Sequence, residues 1–157
     1  MKVSIFGAGT MGRGITQAFA THGDTVLLYA SSKESAEKHR AQLDKQLQKR
    51  VEKGKMTEED KNAIMSRILV EDEAASADSD LIIESVAEDM AAKTELFGRL
   101  DKLCKPEAIF ATNTSSLSIT EMSYGLKHNV IGMHFFNPVP SMKLVEVIRG
   151  INTPDET

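Results

Sequence analysis

The 157-residue sequence has one cysteine, Cys104, so no intrachain disulfide can form and a reducing, cytoplasmic compartment is expected. No activating pattern surrounds that cysteine, which reads as a small apolar residue near a helix end. Long hydrophobic runs are lacking too: no apolar stretch approaches the roughly 18 residues that cross a bilayer, and no membrane role is expected. Gly7, Gly9, Gly12 and Gly14 interrupt the apolar opening stretch and no cleavage pattern follows, which argues against a signal peptide. A strong charge of one sign is missing as well. The net charge of −4 gives no general attraction to nucleic acid. There is no internal repeat and no low-complexity segment, and no metal is expected. What is present, 41% apolar and 27% charged residues, is the composition of a globular domain with a real core.

Val3, Ile5 and Phe6 form a short apolar strand without a polar face, as in a parallel sheet covered on both sides. A glycine turn follows, then a helix from Met11 to His22 stopped at Gly23, then a second buried strand at Val26 to Tyr29. Strand, turn, helix and strand within thirty residues make a compact βαβ unit. A charged helix comes next, with Ala36, Leu43, Leu47 and Val51 as a narrow apolar stripe, ending at Gly54. Thr57 and Asp60 resemble a capping box that opens a second helix through Ile64, Met65 and Ile68. The two form a helical hairpin over about residues 33–67, inserted after the second strand. Further strands are expected at Leu69-Val70, Leu81 to Ile83, Ile109 to Ala111, Val130 to Met133 and Leu144 to Ile148. Between them lies a helix from Met90 to Leu103, stopped by Pro106. This alternation predicts an α/β, Rossmann-type, doubly wound and mostly parallel sheet. Residues 1–157 read as one dinucleotide-binding domain, incomplete at its C-terminus, where Thr153 to Glu156 read as the start of another helix.

Gly7, Gly9 and Gly12 give G-x-G-x-x-G between a strand and a helix, the setting in which that pattern cradles a dinucleotide pyrophosphate. Thr10 and Met11, inside the motif, belong to the same cofactor-binding set, since helix N-termini offer free N–H groups to phosphate. The acid that usually binds the cofactor's ribose is missing. Between Thr25 and Lys33 stands no Asp or Glu, and the position is occupied by Ala30, followed by Ser31, Ser32 and Lys33. Two hydroxyls and a cation suit the 2′-phosphate of NADP better than a bare ribose, while Ser31-Ser32 also suits a helix cap. NAD and NADP both remain open.

The stretch "ATNTSSLSIT" follows a strand, placing Asn113 and Ser115 at a carboxyl end where such sheets bind ligands. Then comes "GMHFFNPVPSMKLVEVI", in which His134 just past one strand and Glu146 in the next suggest a general base oriented by a carboxylate. His22, His39 and His128, in helix or loop settings, read as structural.

The glycine turn, "NTSSL" and "HFFNPVPSMKLVEV" together resemble the 3-hydroxyacyl-CoA dehydrogenase family over nearly the whole chain. The resemblance implies hydride transfer between a nicotinamide dinucleotide and the 3-hydroxyl carbon of an acyl-CoA of the 3-hydroxybutyryl class. By matching motif, His134 resembles the base, Glu146 its partner and Ser115 the serine that bonds the reacting oxygen. Asn113, Glu88 and Lys93 match cofactor contacts, and Asn137 falls beside the base. Lys53, on a face where residues 33–55 carry eight cations against four acids, matches a lysine that meets the CoA phosphates. Ala30 departs from the family's acid. The helical C-terminal substrate and dimerisation domain of the family is also absent here, which implies weak turnover or none for this chain alone, and association with itself or with a completing partner.

Overall fold

The computed structural model describes all residues, 1–157. Strand β1 (Lys2–Phe6) leads into helix α1 (Thr10–His22), β2 (Thr25–Tyr29) and a hairpin of α2 (Lys33–Glu52) and α3 (Glu58–Ser66). Then follow β3 (Ile68–Leu69), a 3-10 turn at Glu73–Ser76, β4 (Leu81–Glu84), α4 (Met90–Leu103) and β5 (Ile109–Thr112). Helix α5 (Ile119–Met122), β6 (Val130–Phe135) and β7 (Val145–Arg149) complete the chain.

One seven-stranded sheet results, ordered β3-β2-β1-β4-β5-β6-β7. All neighbours are parallel except the last pair, where β7 runs against β6. The order reverses between β1 and β4, so their carboxyl ends open the crevice where open α/β sheets bind ligands. Alternation along the strands splits the core in two. Val3, Ile5, Val26 and Leu28 pack with Ile15, Leu43, Leu47 and Ile64 on one face. Phe6, Leu27, Ile82 and Phe110 pack with Leu96, Phe97 and Leu100 on the other. These strands are mostly apolar because helices cover both faces; Ser4 and Glu84 are the buried polar residues within β1 and β4.

The hairpin forms as its pattern requires. Ala36, Leu43 and Leu47 are the buried residues of α2, and Thr57 Oγ1 accepts from Asp60 N at 3.0 Å while Asp60 returns the bond. Three expectations shift. Ile68 leaves the second helix for β3, where it pairs with Val26, because burial against β2 outweighs another half turn of helix. That strand occupies Ile68–Leu69, one residue earlier than the sequence suggests. Thr153 to Glu156 form a turn, because Thr153 Oγ1 accepts from Gly150 N at 2.9 Å and donates to Val130 O at 3.1 Å, pinning the segment to the sheet. Cys104 caps α4, is buried beside Ser76, and has its thiol pushed up by burial, as a packing residue would. No helix is long and apolar enough to cross a membrane.

Candidate active site

The glycine turn works by two close approaches and one open face. At Gly7, φ is +110° and an added Cβ would lie 2.3 Å from Ser85 O, so both conformation and packing require glycine. At Gly12 an added Cβ would lie 1.6 Å from Gly7 O, which fixes the close approach of α1 to the strand turn. At Gly9 nothing lies within 4 Å of such an atom, so the side facing the cleft is open. Gly9 also starts α1 with no side-chain cap and no acid in the first turn. The opening N–H groups of a 13-residue helix thus face the groove without side-chain acceptors. An open backbone and an uncapped helix fit a pyrophosphate.

The groove has two halves. The first, about 650 Å³, runs from Gly7 and Gly9 past Tyr29, Ala30, Ser31, Ser32 and Lys33. Ser32 is the N-cap of α2, its Oγ accepting from Ser35 N at 3.0 Å. Its wall also holds residues that the local sequence does not announce. Because β3 lies beside β2, the following loop brings Glu71, Asp72 and Glu73 to the cleft, and α4 adds Glu95 and Arg99. Lys33 Nζ lies 3.8 Å from Asp72 Oδ1, and Arg99 bridges Glu73 at 3.1 Å and Glu95 at 3.4 Å. Here four carboxylates face the two cations Lys33 and Arg99. His39 also lines this half, with Nδ1 2.8 Å from Arg13 Nη1.

The second half, about 600 Å³, brings together Gly9, Thr10, Met11, Glu88, Lys93, Asn113, Ser115, His134 and Asn137. Cross-strand register sets Glu146 of β7 opposite His134 of β6, and His134 Nδ1 lies 2.8 Å from Glu146 Oε2. No protein group bonds His134 Nε2, and the ring tilts against Phe136. The pair is open to water, with His134 22% and Glu146 53% exposed. Asn113 Oδ1 accepts from Phe135 N at 2.9 Å, tying the loop after β5 to the strand that carries the base. Ser115 N donates to Glu88 Oε1 at 3.2 Å, leaving its hydroxyl free. Lys53 stands apart, capping the far end of α2 outside both halves.

Beneath this half lies a network absent from the sequence reading. Glu84 is fully buried at the end of β4, between Phe6 and Thr112 in register. It accepts from Lys93 Nζ, Thr112 Oγ1 and Val86 N, each at 2.6 Å. Lys93 also lies 3.3 Å from Glu88 Oε2, and Glu88 accepts from the Thr114 hydroxyl. Burial pushes the Glu88 carboxyl up, but the Thr114 hydroxyl, the Lys93 charge and the Ser115 N–H together hold it below its ordinary value. The one available sequence signal is a lone acid ending the apolar strand "LIIE".

Among the other histidines, His22 is exposed beside Asp24. His128 is buried, its Nδ1 2.7 Å from Asp101 Oδ1 and its Nε2 2.9 Å from Lys105 O, with its ring stacked on Phe110 at 4.3 Å.

Residues 2–157 match the family model described as 3-hydroxyacyl-CoA dehydrogenase, NAD binding domain. A 3-hydroxybutyryl-CoA dehydrogenase of Clostridioides difficile is 50% identical over 153 residues, covering 96% of this chain and 54% of that protein. The crystal structure of 3-hydroxybutyryl-CoA dehydrogenase from Escherichia coli K12 aligns with a TM-score of 0.95 at 40% identity, over 99% of this chain and 34% of that one. That of (S)-3-hydroxybutyryl-CoA dehydrogenase from Ralstonia eutropha aligns with a TM-score of 0.90 at 38% identity, over 99% and 56%. The chain spans about half the length of the curated relatives it matches. With the sheet, the glycine turn and the His134–Glu146 groove in place, these matches show that the chain belongs to the family of 3-hydroxyacyl-CoA dehydrogenase NAD binding domains.

Proposed function

We propose that this chain forms the cofactor-binding and proton-transferring part of an oxidoreductase that interconverts 3-hydroxyacyl-CoA and 3-oxoacyl-CoA, of the 3-hydroxybutyryl class. The observation that carries the reading is the His134–Glu146 pair, set across one groove from the glycine turn and beside Ser115. The bound nicotinamide dinucleotide supplies the hydride acceptor. Glu146 holds the proton of His134 on Nδ1, which leaves Nε2 as the base facing the groove. Nε2 takes the substrate's hydroxyl proton, and Glu146 stabilises the resulting imidazolium. In the reverse direction the imidazolium returns that proton to the oxygen. The Ser115 hydroxyl and the Asn137 amide offer donors for the charge developing on that oxygen. Lys53, with Lys49, Arg50 and Lys55 nearby in the chain, suits the phosphates of the CoA moiety. The exposed apolar edge strand β7 suits cover by a further segment or a second chain.

On the dinucleotide, the groove favours NAD over NADP despite Ala30. Glu71, Asp72, Glu73 and Glu95 outnumber Lys33 and Arg99 on that wall, which opposes a second phosphate. Ser32 serves its helix, and Lys33 faces Asp72. Titration calorimetry of the chain with each dinucleotide tests both claims. NAD is expected to bind about tenfold tighter. Equal or tighter binding of NADP overturns the preference, and failure of both to bind overturns the cofactor site.

A further inference from the structure

The floor of the second groove holds a charge arrangement that the proton path through His134 does not use. Lys93 and Glu84 are both buried, 1% and 0% exposed, and in contact at 2.6 Å. Glu88, on the rim, stands 3.3 Å from the same ammonium. The other groups bonded to these two acids all donate: Val86 N–H and the Thr112 hydroxyl to Glu84, and the Thr114 hydroxyl, Ser115 N–H and Ser116 hydroxyl to Glu88. Two carboxylates thus share one cation, leaving a surplus negative charge; Glu84 and Lys93 are shielded from water, while Glu88 is 43% exposed and partly screened.

That surplus lies under the end of the groove marked by Ser115 and His134, with Glu88 and Lys93 lining the same space. A nicotinamide ring is cationic when oxidised and neutral when reduced. A fixed negative charge nearby therefore discriminates between the two forms by Coulomb energy, whatever contacts they share. We propose that the Glu84–Lys93–Glu88 triad sets the redox-form preference of the site, strengthening binding of the oxidised dinucleotide relative to the reduced one. Glu84 acts as a positioning residue in this arrangement. It holds Lys93 between the two acids and, through Thr112, steadies the strand end that leads to Ser115. The inference rests on the reading of this groove half as the nicotinamide site.

Calorimetric dissociation constants for NAD and NADH, measured on the 157-residue chain, give a ratio that a general loosening of the fold leaves alone. Glu84→Gln removes one negative charge at nearly constant shape. The ratio of oxidised to reduced dissociation constants is then expected to rise about tenfold. Glu88→Gln makes the same charge change on the rim and leaves the buried 2.6 Å contact between Glu84 and Lys93 in place. It is expected to move the ratio in the same direction even if Glu84→Gln does not fold. Variants that weaken both forms equally overturn the proposal and reduce the triad to packing. Wild-type chain that binds neither form overturns the cofactor reading itself, and the triad's role falls with it.

Discussion

Besides the surface pair His22–Asp24, two histidine–carboxylate pairs occur in this molecule with nearly the same contact and opposite surroundings. His128 meets Asp101 at 2.7 Å and His134 meets Glu146 at 2.8 Å. In the first, both partners are under a tenth exposed, Nε2 is held by Lys105 O, and the ring lies on Phe110. In the second, Nε2 has no protein partner and faces a groove. The difference teaches that the pair alone does not make a base. A general base needs its second nitrogen free within reach of a substrate proton, whereas a histidine bonded at both nitrogens is a structural cross-link.

The largest expected effect separates the two pairs by what each loses. For the dehydrogenation proposed above, His134→Ala is expected to lower the rate by about 10²–10⁴-fold, read at high chain concentration, with the unfolding midpoint nearly unchanged. His128→Ala is expected to reverse the pattern. It should cost about 3 kcal/mol in denaturant unfolding, since it empties a packed site and leaves Asp101 without its ring partner, while the rate per folded chain holds. A His128 variant that abolishes turnover while fully folded would erase the distinction.

A smaller effect probes the carboxylates. Glu146→Gln keeps a side-chain oxygen to accept from Nδ1 but removes the charge that favours the imidazolium. Because Glu146 is half exposed, water screens much of that charge, and about a tenfold fall in rate is expected. A fall as large as that of His134→Ala would mean that the acid does more than orient the ring and stabilise its charge.

The sequence separates these two pairs for a physical reason, and the same reason marks where it stops. The sequence sets His134 just past one apolar strand and Glu146 in the next, twelve residues on, so their pairing is a near-local inference; the structure places His134 inside β6, directly opposite Glu146. His128 reads as structural from its loop setting, yet Asp101, 27 residues earlier on α4, is invisible as its partner. Local patterns also carry the glycine turn, the α2–α3 hairpin and the Thr57 cap, where a few adjacent residues settle the conformation. Glu84 is the contrasting case. Its partners Lys93 and Thr112 lie 9 and 28 residues away, and only the strand order sets it between β1 and β5. The carboxylates opposite Ala30 escape local reading likewise, because β3 is two residues long and pairs by burial rather than by pattern.

The smallest expected effect concerns acid stability and tests whether the buried pair is a cross-link. Burial pushes the Asp101 carboxyl up, but the His128 ring, the His128 N–H and the Lys127 N–H together hold it below its ordinary value. A carboxyl whose folded pKa is depressed binds protons less readily in the folded chain than in the unfolded one. Its stabilisation is therefore present above the unfolded value of about 3.9 and is lost as pH falls through the lower folded value. Asp101→Asn should lower the denaturant midpoint near neutrality and flatten its decline between about pH 5 and about pH 3, because the titrating group is gone. Equal slopes for wild type and Asp101→Asn would show that Asp101 does not tie α4 to the loop before β6 through its charge, and the two pairs would then differ only in exposure and in the Nε2 bond to Lys105 O.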